Sequence, residues 1–199
     1  MSKKHHGADL SRIIVLDCEA TCWETPEEQG DLKNEIIEIG MCSLDIKTGT
    51  VSAKSSYLVK PQYSHVSPFC TALTGWTQMA VKYAPEIDEV LQNIANDFRM
   101  TKDTVWASFG EFDRVKLSSD EGLRGGVFGL YGITRAQNPF ASARTHLNVK
   151  TLMAFKEKLS KEMGMDRALK YYGLELEGRH HNGADDAWNI AKILLKVLS

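Results

Sequence analysis

Arg12-Ile-Ile-Val-Leu-Asp-Cys18 and Glu35-Ile-Ile-Glu-Ile-Gly-Met-Cys-Ser-Leu44 are the stretches on which the fold turns. Both are nearly continuous apolar runs of strand length, the mark of strands covered on both faces. Asp45-Ile-Lys-Thr-Gly49 carries hairpin-turn chemistry and leads to a third strand over residues 50–59. Strands joined this tightly form an antiparallel meander. Further along, Ser67-Pro68 opens a short helix that Gly75 interrupts. Residues 86–99 place apolar side chains at 87, 90, 91, 94, 95 and 98, which is helical spacing, with acids in the first turn. Thr104-Val-Trp-Ala-Ser108 and Thr145-His-Leu-Asn-Val149 read as the fourth and fifth strands. A helix is expected from Glu111, and others over 150–161, 166–172 and 184–198. Residues 120–143, with glycines at 122, 125, 126, 129 and 132 and with Pro139, read as an irregular connection. The expected fold class is α/β: a single domain with a mixed five-stranded sheet flanked by helices, over residues 10–199, with residues 1–9 as a flexible N-terminus.

The composition agrees with one folded domain. The 199 residues are 43% hydrophobic and 25% charged, which excludes a disordered or collagen-like chain. No apolar run approaches the roughly 20 residues of a membrane helix, and the opening M-S-K-K-H-H-G has no signal-peptide core. Cys18, Cys22, Cys42 and Cys70 form neither a disulfide framework nor a paired zinc motif, so reduced thiols and a cytoplasmic setting are expected. The net charge of −2 hides an asymmetry: residues 1–99 carry 9 Lys+Arg against 14 Asp+Glu, and residues 100–199 carry 15 against 12. That balance excludes a long electrostatic track along duplex phosphates, but it suits a short strand held near an acidic pocket.

Three groups of residues carry chemistry. Asp17 and Glu19 stand two apart at the end of a buried strand, so their carboxylates share a face, and a divalent cation between them would relieve their repulsion. Asp113 follows the fourth strand in the first turn of a helix, where an acid also simply complements the helix dipole. His181 precedes Asp186 by five residues at the opening of the last helix, which suits a base held beside a metal ligand. Each group alone is modest; their order and their positions at element boundaries match a two-metal phosphodiester-cleavage site.

The combination resembles the DEDDh (DnaQ-like) 3′→5′ exonucleases, in the branch of the histone-mRNA 3′ exonuclease and its bacterial relatives. The resemblance rests on Leu16-Asp-Cys-Glu-Ala-Thr-Cys22 with Asn34-Glu-Ile-Ile-Glu-Ile-Gly40, on Asp113, and on G-R-H-H-N-G-A-D-D-A-W-N-I-A around His181 and Asp186. Phe69-Cys-Thr-Ala-Leu-Thr-Gly75 and Tyr131-Gly-Ile133 leading to His146-Leu-Asn-Val-Lys-Thr-Leu152 are the branch-specific pieces. It implies an RNase H-like fold and removal of nucleoside 5′-monophosphates from single-stranded RNA or DNA 3′ ends, RNA somewhat favoured. It also implies two Mg²⁺ or Mn²⁺ ions. Asp17, Glu19 and Asp186 would hold one, Asp17 and Asp113 would help hold the second, and His181 would be the general base.

By the same resemblance Phe69 and Leu73, with Thr74 beside them, sandwich the terminal base; Phe112 stands where a family aromatic occurs; Ala20 and Thr21 meet the terminal sugar through backbone groups. Aromatic stacking is worth about 1–3 kcal/mol per base, although core packing is the competing reading of Phe69 and Phe112. Trp76, Trp106 and Trp188 read as core, His180 as a bystander, and His65 and His146 as histidines without an assignable partner. Arg114, Lys116, Lys150 and Arg179 are either phosphate contacts or plain surface charge. The stretch 122–144 is longer and richer in glycine than the family pattern and bears on substrate access. Two other classes stay open at this level: a catalytically silent regulatory or binding protein on the same fold, and a proofreading subunit of a polymerase assembly. No protein partner is evident in the sequence.

Overall fold

The computed structural model describes residues 9–118, 137–143 and 145–199. Five strands build one sheet: β1 (Asp9–Ala20), β2 (Ile36–Asp45), β3 (Thr50–Leu58), β4 (Thr104–Ser108) and β5 (Thr145–Asn148), in the order β3-β2-β1-β4-β5. β1–β2 and β2–β3 are antiparallel, and β1–β4 and β4–β5 are parallel. The expected mixed sheet is therefore present, with β1 already under way at Asp9. Residues 1–8, 119–136 and 144 lie outside the described residues, and with them the expected flexible N-terminus and most of the glycine-rich connection.

Nine described helices follow the chain: α1 (Pro26–Gln29), α2 (Pro68–Thr74), α3 (Gln78–Lys82), α4 (Ile87–Asp97), α5 (Phe112–Ser118), α6 (Pro139–Ser142), α7 (Val149–Lys156), α8 (Met165–Tyr171) and α9 (Gly183–Leu198). Two depart from the sequence reading. α6 is a short helix inside the stretch read as irregular, because Asn138 caps it through Phe140 N and Ala141 N and Pro139 needs no amide partner at its first position. α1 likewise forms within the loop after β1, capped by Thr25.

The period of two along β1 sorts its side chains. Ile13 and Val15 join Cys42, Leu44, Val105 and Ala107 beneath Ile190, Ala191 and Leu194 of α9. Ile14 and Leu16 point the other way, into a core with Ile39, Met41 and Trp106 and with Val90, Leu91 and Ile94 of α4. Two covered faces explain the unbroken apolar run. The same alternation orients the end of the strand, because Asp17 and Glu19 continue the Ile13–Val15 row and so emerge on the α9 side.

Candidate active site

One close approach assembles the site. Gly40 pairs with Asp17 and Glu38 pairs with Glu19 across the β1–β2 ladder. A Cβ at Gly40 would fall 1.7 Å from the carbonyl carbon of Gly183, so glycine alone lets the start of α9 settle on the sheet there. Glu38 locks the contact. Its fully buried carboxylate accepts from Gly183 N at 2.9 Å, Trp76 Nε1 at 2.6 Å and Ser56 Oγ at 2.6 Å, tying β3, the turn after α2 and α9 to one point. Asn182 caps α9 by accepting from Asp185 N at 3.1 Å.

This docking brings Asp186 to the end of β1. Ligand oxygens of Asp17, Glu19 and Asp186 lie within 4.8 Å of one another. Because β1 and β4 run parallel, their C-terminal ends coincide, and Asp113, in the first turn of α5, reaches β1 by accepting from Cys18 N at 3.0 Å. The four acids crowd one another in a setting poor in solvent. Burial, then the charges of Asp113, Glu19 and Asp186, hold Asp17 well above the ordinary carboxylate range. Burial, then Asp186 and Glu38, push Glu19 to about 8, against the counter-pull of Arg179. Burial raises Asp113 to about 6 although the Cys18 amide opposes it, and burial raises Asp186 also.

Buried Asp186 Oδ1 has no hydrogen-bond partner among the described residues, while Oδ2 accepts from His181 N at 2.9 Å and faces His180 Nδ1 at 3.0 Å. An orphaned carboxylate oxygen amid mutually repelling oxygen donors fits a divalent cation of the Mg²⁺ or Mn²⁺ kind. His181 sits on left-handed backbone (φ 63°), which turns the chain into α9. Burial, together with the neighbouring His180, keeps its imidazole below the usual value.

The remaining predicted residues separate. Phe69 and Phe112 are 38% and 49% exposed, so neither is core; Leu73 is half-buried beside Phe69 on α2. Phe69 also borders a cleft of about 340 Å³ with Trp23 and His65, whose rings meet edge to face. Ala20 is half-buried at the strand end. Thr21 is fully buried: its N–H donates to Glu35 O, its carbonyl accepts from Asn34 and its hydroxyl from Glu35 N, so it staples the 33–35 turn. Thr74 is buried and commits its hydroxyl to Cys70 O and Trp76 N, closing α2 at Gly75. Arg179 holds the Ala72 and Leu73 carbonyls at 3.0 and 3.1 Å, so it positions α2.

His180 is no bystander, since it pairs with Asp186. His146 has a partner too: its Nε2 lies 3.0 Å from Ser108 Oγ, which also donates to Gly110 O at 3.2 Å. Trp106 is core as expected, whereas Trp76 and Trp188 are half-buried and donate to Glu38 and Glu177. Glu38 lies inside the first motif, where the sequence assigns it no role. A signal for one is nevertheless present, because an acid inside an apolar strand has to find donors.

This architecture and acid cluster are those of an exonuclease domain. The chain belongs to the Exonuclease (RNase_T) family, whose model matches residues 14–113. Relatives include the ERI1 exoribonuclease 2 of Danio rerio, 31% identical over 203 residues, covering 96% of this chain and 35% of that protein. The 3′-5′ exoribonuclease 1 of Mus musculus is 26% identical over 193 residues, covering 94% of this chain and 52% of that protein. This chain thus spans about a third of the first relative and about half of the second. Among solved structures, the nuclease domain of 3′hExo, a DEDDh family member bound to rAMP, matches with a TM-score of 0.78 at 26% identity, over 94% of this chain and 92% of that one. The DEDDh resemblance and the RNase H-like α/β fold expected from the sequence are those of these neighbours.

Proposed function

We propose that this chain is a metal-dependent 3′→5′ exonuclease that removes nucleoside 5′-monophosphates from single-stranded ends, RNA preferred over DNA. The observation that carries the reading is the convergence of Asp17, Glu19 and Asp186 within 4.8 Å, in a chain of the Exonuclease family. The RNA preference is supported by the names of the two relatives, both exoribonucleases. Asp17, Glu19 and Asp186 hold one Mg²⁺ or Mn²⁺, and Asp113 with Asp17 holds a second. When bound, the pair of cations supplies charge neutralisation, activation of the attacking water and stabilisation of the departing 3′ oxygen.

The protein's own residues do the rest. His181 accepts the proton of the attacking water at an unprotonated ring nitrogen, a state that its lowered pKa maintains near neutrality. The water oxygen bonds to phosphorus, the bond to the 3′ oxygen of the preceding nucleotide breaks, and that oxygen takes a proton from solvent while His181 returns its own to solvent. Phe69, Leu73 and Phe112 grip the terminal base by its faces, which tolerates any base, and Ala20 borders the sugar. Glu38, Gly40 and Arg179 act as positioning residues, holding α9 and α2 against the strand end. A cytoplasmic setting is part of the proposal; the four described cysteines are free, and no described helix is long and apolar enough to cross a membrane.

The test is turnover of 5′-labelled single-stranded RNA and DNA of equal length, with Mg²⁺, with Mn²⁺ and with EDTA, and Asp113→Ala as control. The expected result is a ladder shortening from the 3′ end, faster on RNA and abolished by EDTA and by the substitution. Intact strands under every metal would overturn the reading and leave a binding protein on the same fold.

A further inference from the structure

Two glycines stand open where one arginine and one aspartate need the room. Gly75 caps α2 at φ 85°, and a Cβ there would fall 1.9 Å from Arg179 Nη1. Gly178 has φ 81°, and its Cβ would fall 2.2 Å from Asp185 Cγ. Arg179 Nη2 directs both its hydrogens at the end of α2, to the Ala72 and Leu73 carbonyls at 3.0 and 3.1 Å. The last carbonyls of a helix lack donors within the helix, so an outside donor is welcome there. At its other end the same residue is also held. Arg179 N donates to Asp185 Oδ2 at 2.7 Å, and the second Asp185 oxygen pairs with Lys54 of β3. Asn182 N closes the turn by donating to Arg179 O at 3.3 Å, with His181 inside it.

We infer that Arg179 and Asp185 form a clasp through which a terminal base seated on Leu73 sets the position of His181. The coupling rests on the exonuclease reading; the clasp itself does not. Leu73 and Arg179 are 106 positions apart in the chain, yet one guanidinium joins them, and His181 follows two residues later. The guanidinium is planar and its hydrogens point in fixed directions, so it moves with the end of α2. Asp185 fixes the backbone of the same residue, so that motion reaches the turn. A base packed on Leu73 steadies the end of α2, and the turn is then held from two sides. With no base it is held from the Asp185 side alone, and His181 is less well placed for its water. A misplacement of about 1 Å is enough to cost about a hundredfold in rate. Leu73 carries the link, because its carbonyl is the one that Arg179 holds. Loss of Phe69 leaves the base on Leu73 and the placement of His181 intact. Arg179 and Asp185 are therefore positioning residues, acting on the reaction through His181.

Two arms test this. In the first, two RNA strands in Mg²⁺ end either in 2′-deoxyadenosine or in a tetrahydrofuran residue, the same sugar without its base. The readouts are the single-turnover rate at saturating protein and the protein concentration that half-saturates it. For the intact protein, loss of the base should weaken binding and also lower the saturated rate, the latter at least about tenfold. In Arg179→Ala and in Asp185→Ala the effect on binding should remain. Their saturated rates on the two strands should differ by less than about twofold, the limit of additive behaviour. A merely structural role slows both strands alike and keeps the ratio of the intact protein, which overturns the coupling. A saturated rate of the intact protein that ignores the base overturns it too. If one variant fails to fold, the other decides. In the second arm, deuterium uptake of the metal-free protein is followed without substrate. Relative to α4, Asp185→Ala should speed uptake both in the 178–182 turn and at the end of α2, where Gly75 N donates to Thr71 O. Unchanged uptake at the end of α2 overturns the clasp. If neither strand is shortened, the exonuclease reading fails with the coupling, and the second arm alone judges the clasp.

Discussion

Glu35 and Glu38 at β2 and Asp17 and Glu19 at β1 are acids on adjacent strands with opposite fates. Glu35 accepts from the backbone amides of Gln62, Tyr63 and Ser64, and Glu38 from Gly183, Trp76 and Ser56. Burial strips these carboxylates of water and gives them protein donors in return, so they hold the loops together. Asp17 and Glu19 instead face one another, Asp113 and Asp186, and their pKa values climb. The fold supplies donors where it needs rigidity and withholds them where a cation is to bind. The same residue type, one strand over, is thus a structural knot in one place and a stored repulsion in the other.

Four experiments test this contrast. Asp17→Asn should lower strand cleavage by about a thousandfold or more, since several kcal/mol of transition-state stabilisation are lost. The same change should raise the melting temperature of the metal-free protein by a few degrees, because it removes a repelling charge. A lower melting temperature in calorimetry would show that Asp17 supports the fold. Glu38→Ala should do the opposite, destabilising by about 3 kcal/mol as buried donors lose their acceptor. For a domain of this size that is a fall of roughly 6–12 °C. An unchanged melt would remove Glu38 from its role as knot.

The third experiment varies pH. Glu19 is raised to about 8 in the folded chain, against an ordinary value near 4.3, so between those limits the folded form holds the extra proton. Stability of the metal-free protein should therefore fall as pH rises from about 5 to about 8, by a few degrees in melting temperature. Mn²⁺ should restore more at the upper end of that range than at the lower. A metal-free melting temperature that rises over this range would contradict the repulsion. The smallest effect is expected at the aromatic grip: Phe69→Ala should raise KM for a short RNA about tenfold, from about 1–3 kcal/mol of stacking, with kcat nearly kept. An unchanged KM would mark Phe69 as a wall of the Trp23 cleft only.

Much of this is legible in the linear chain. The five strands and the meander can be followed from apolar runs and turn chemistry, because a strand covered on both faces has to be apolar throughout. Asp17, Glu19, Asp113 and Asp186 are legible as site candidates through their order and joint match to the DEDDh pattern, since each alone has an ordinary use such as complementing a helix dipole. Their partners are not legible. His180 reads as idle because nothing in H-H-N-G-A-D-D says which ring turns toward Asp186. His146 reads as solitary because Ser108 lies 38 positions away. The contacts of the Thr74 hydroxyl are not legible either, because a hydroxyl in a sequence carries no record of the groups that fold around it.

The order of amino acids is enough to specify the α/β class, the meander, the row of β1 that carries Asp17 and Glu19, and the acids that meet. Periodicity and residue chemistry are local, and they are written along the chain. How close those acids come, and which of them are left without donors, is set by packing in three dimensions. Gly40 permits α9 to touch the sheet, Glu38 fixes it there, and the approach delivers Asp186 to the end of β1. Burial and mutual repulsion arise from that approach, because both depend on distances between elements that the order of residues does not contain.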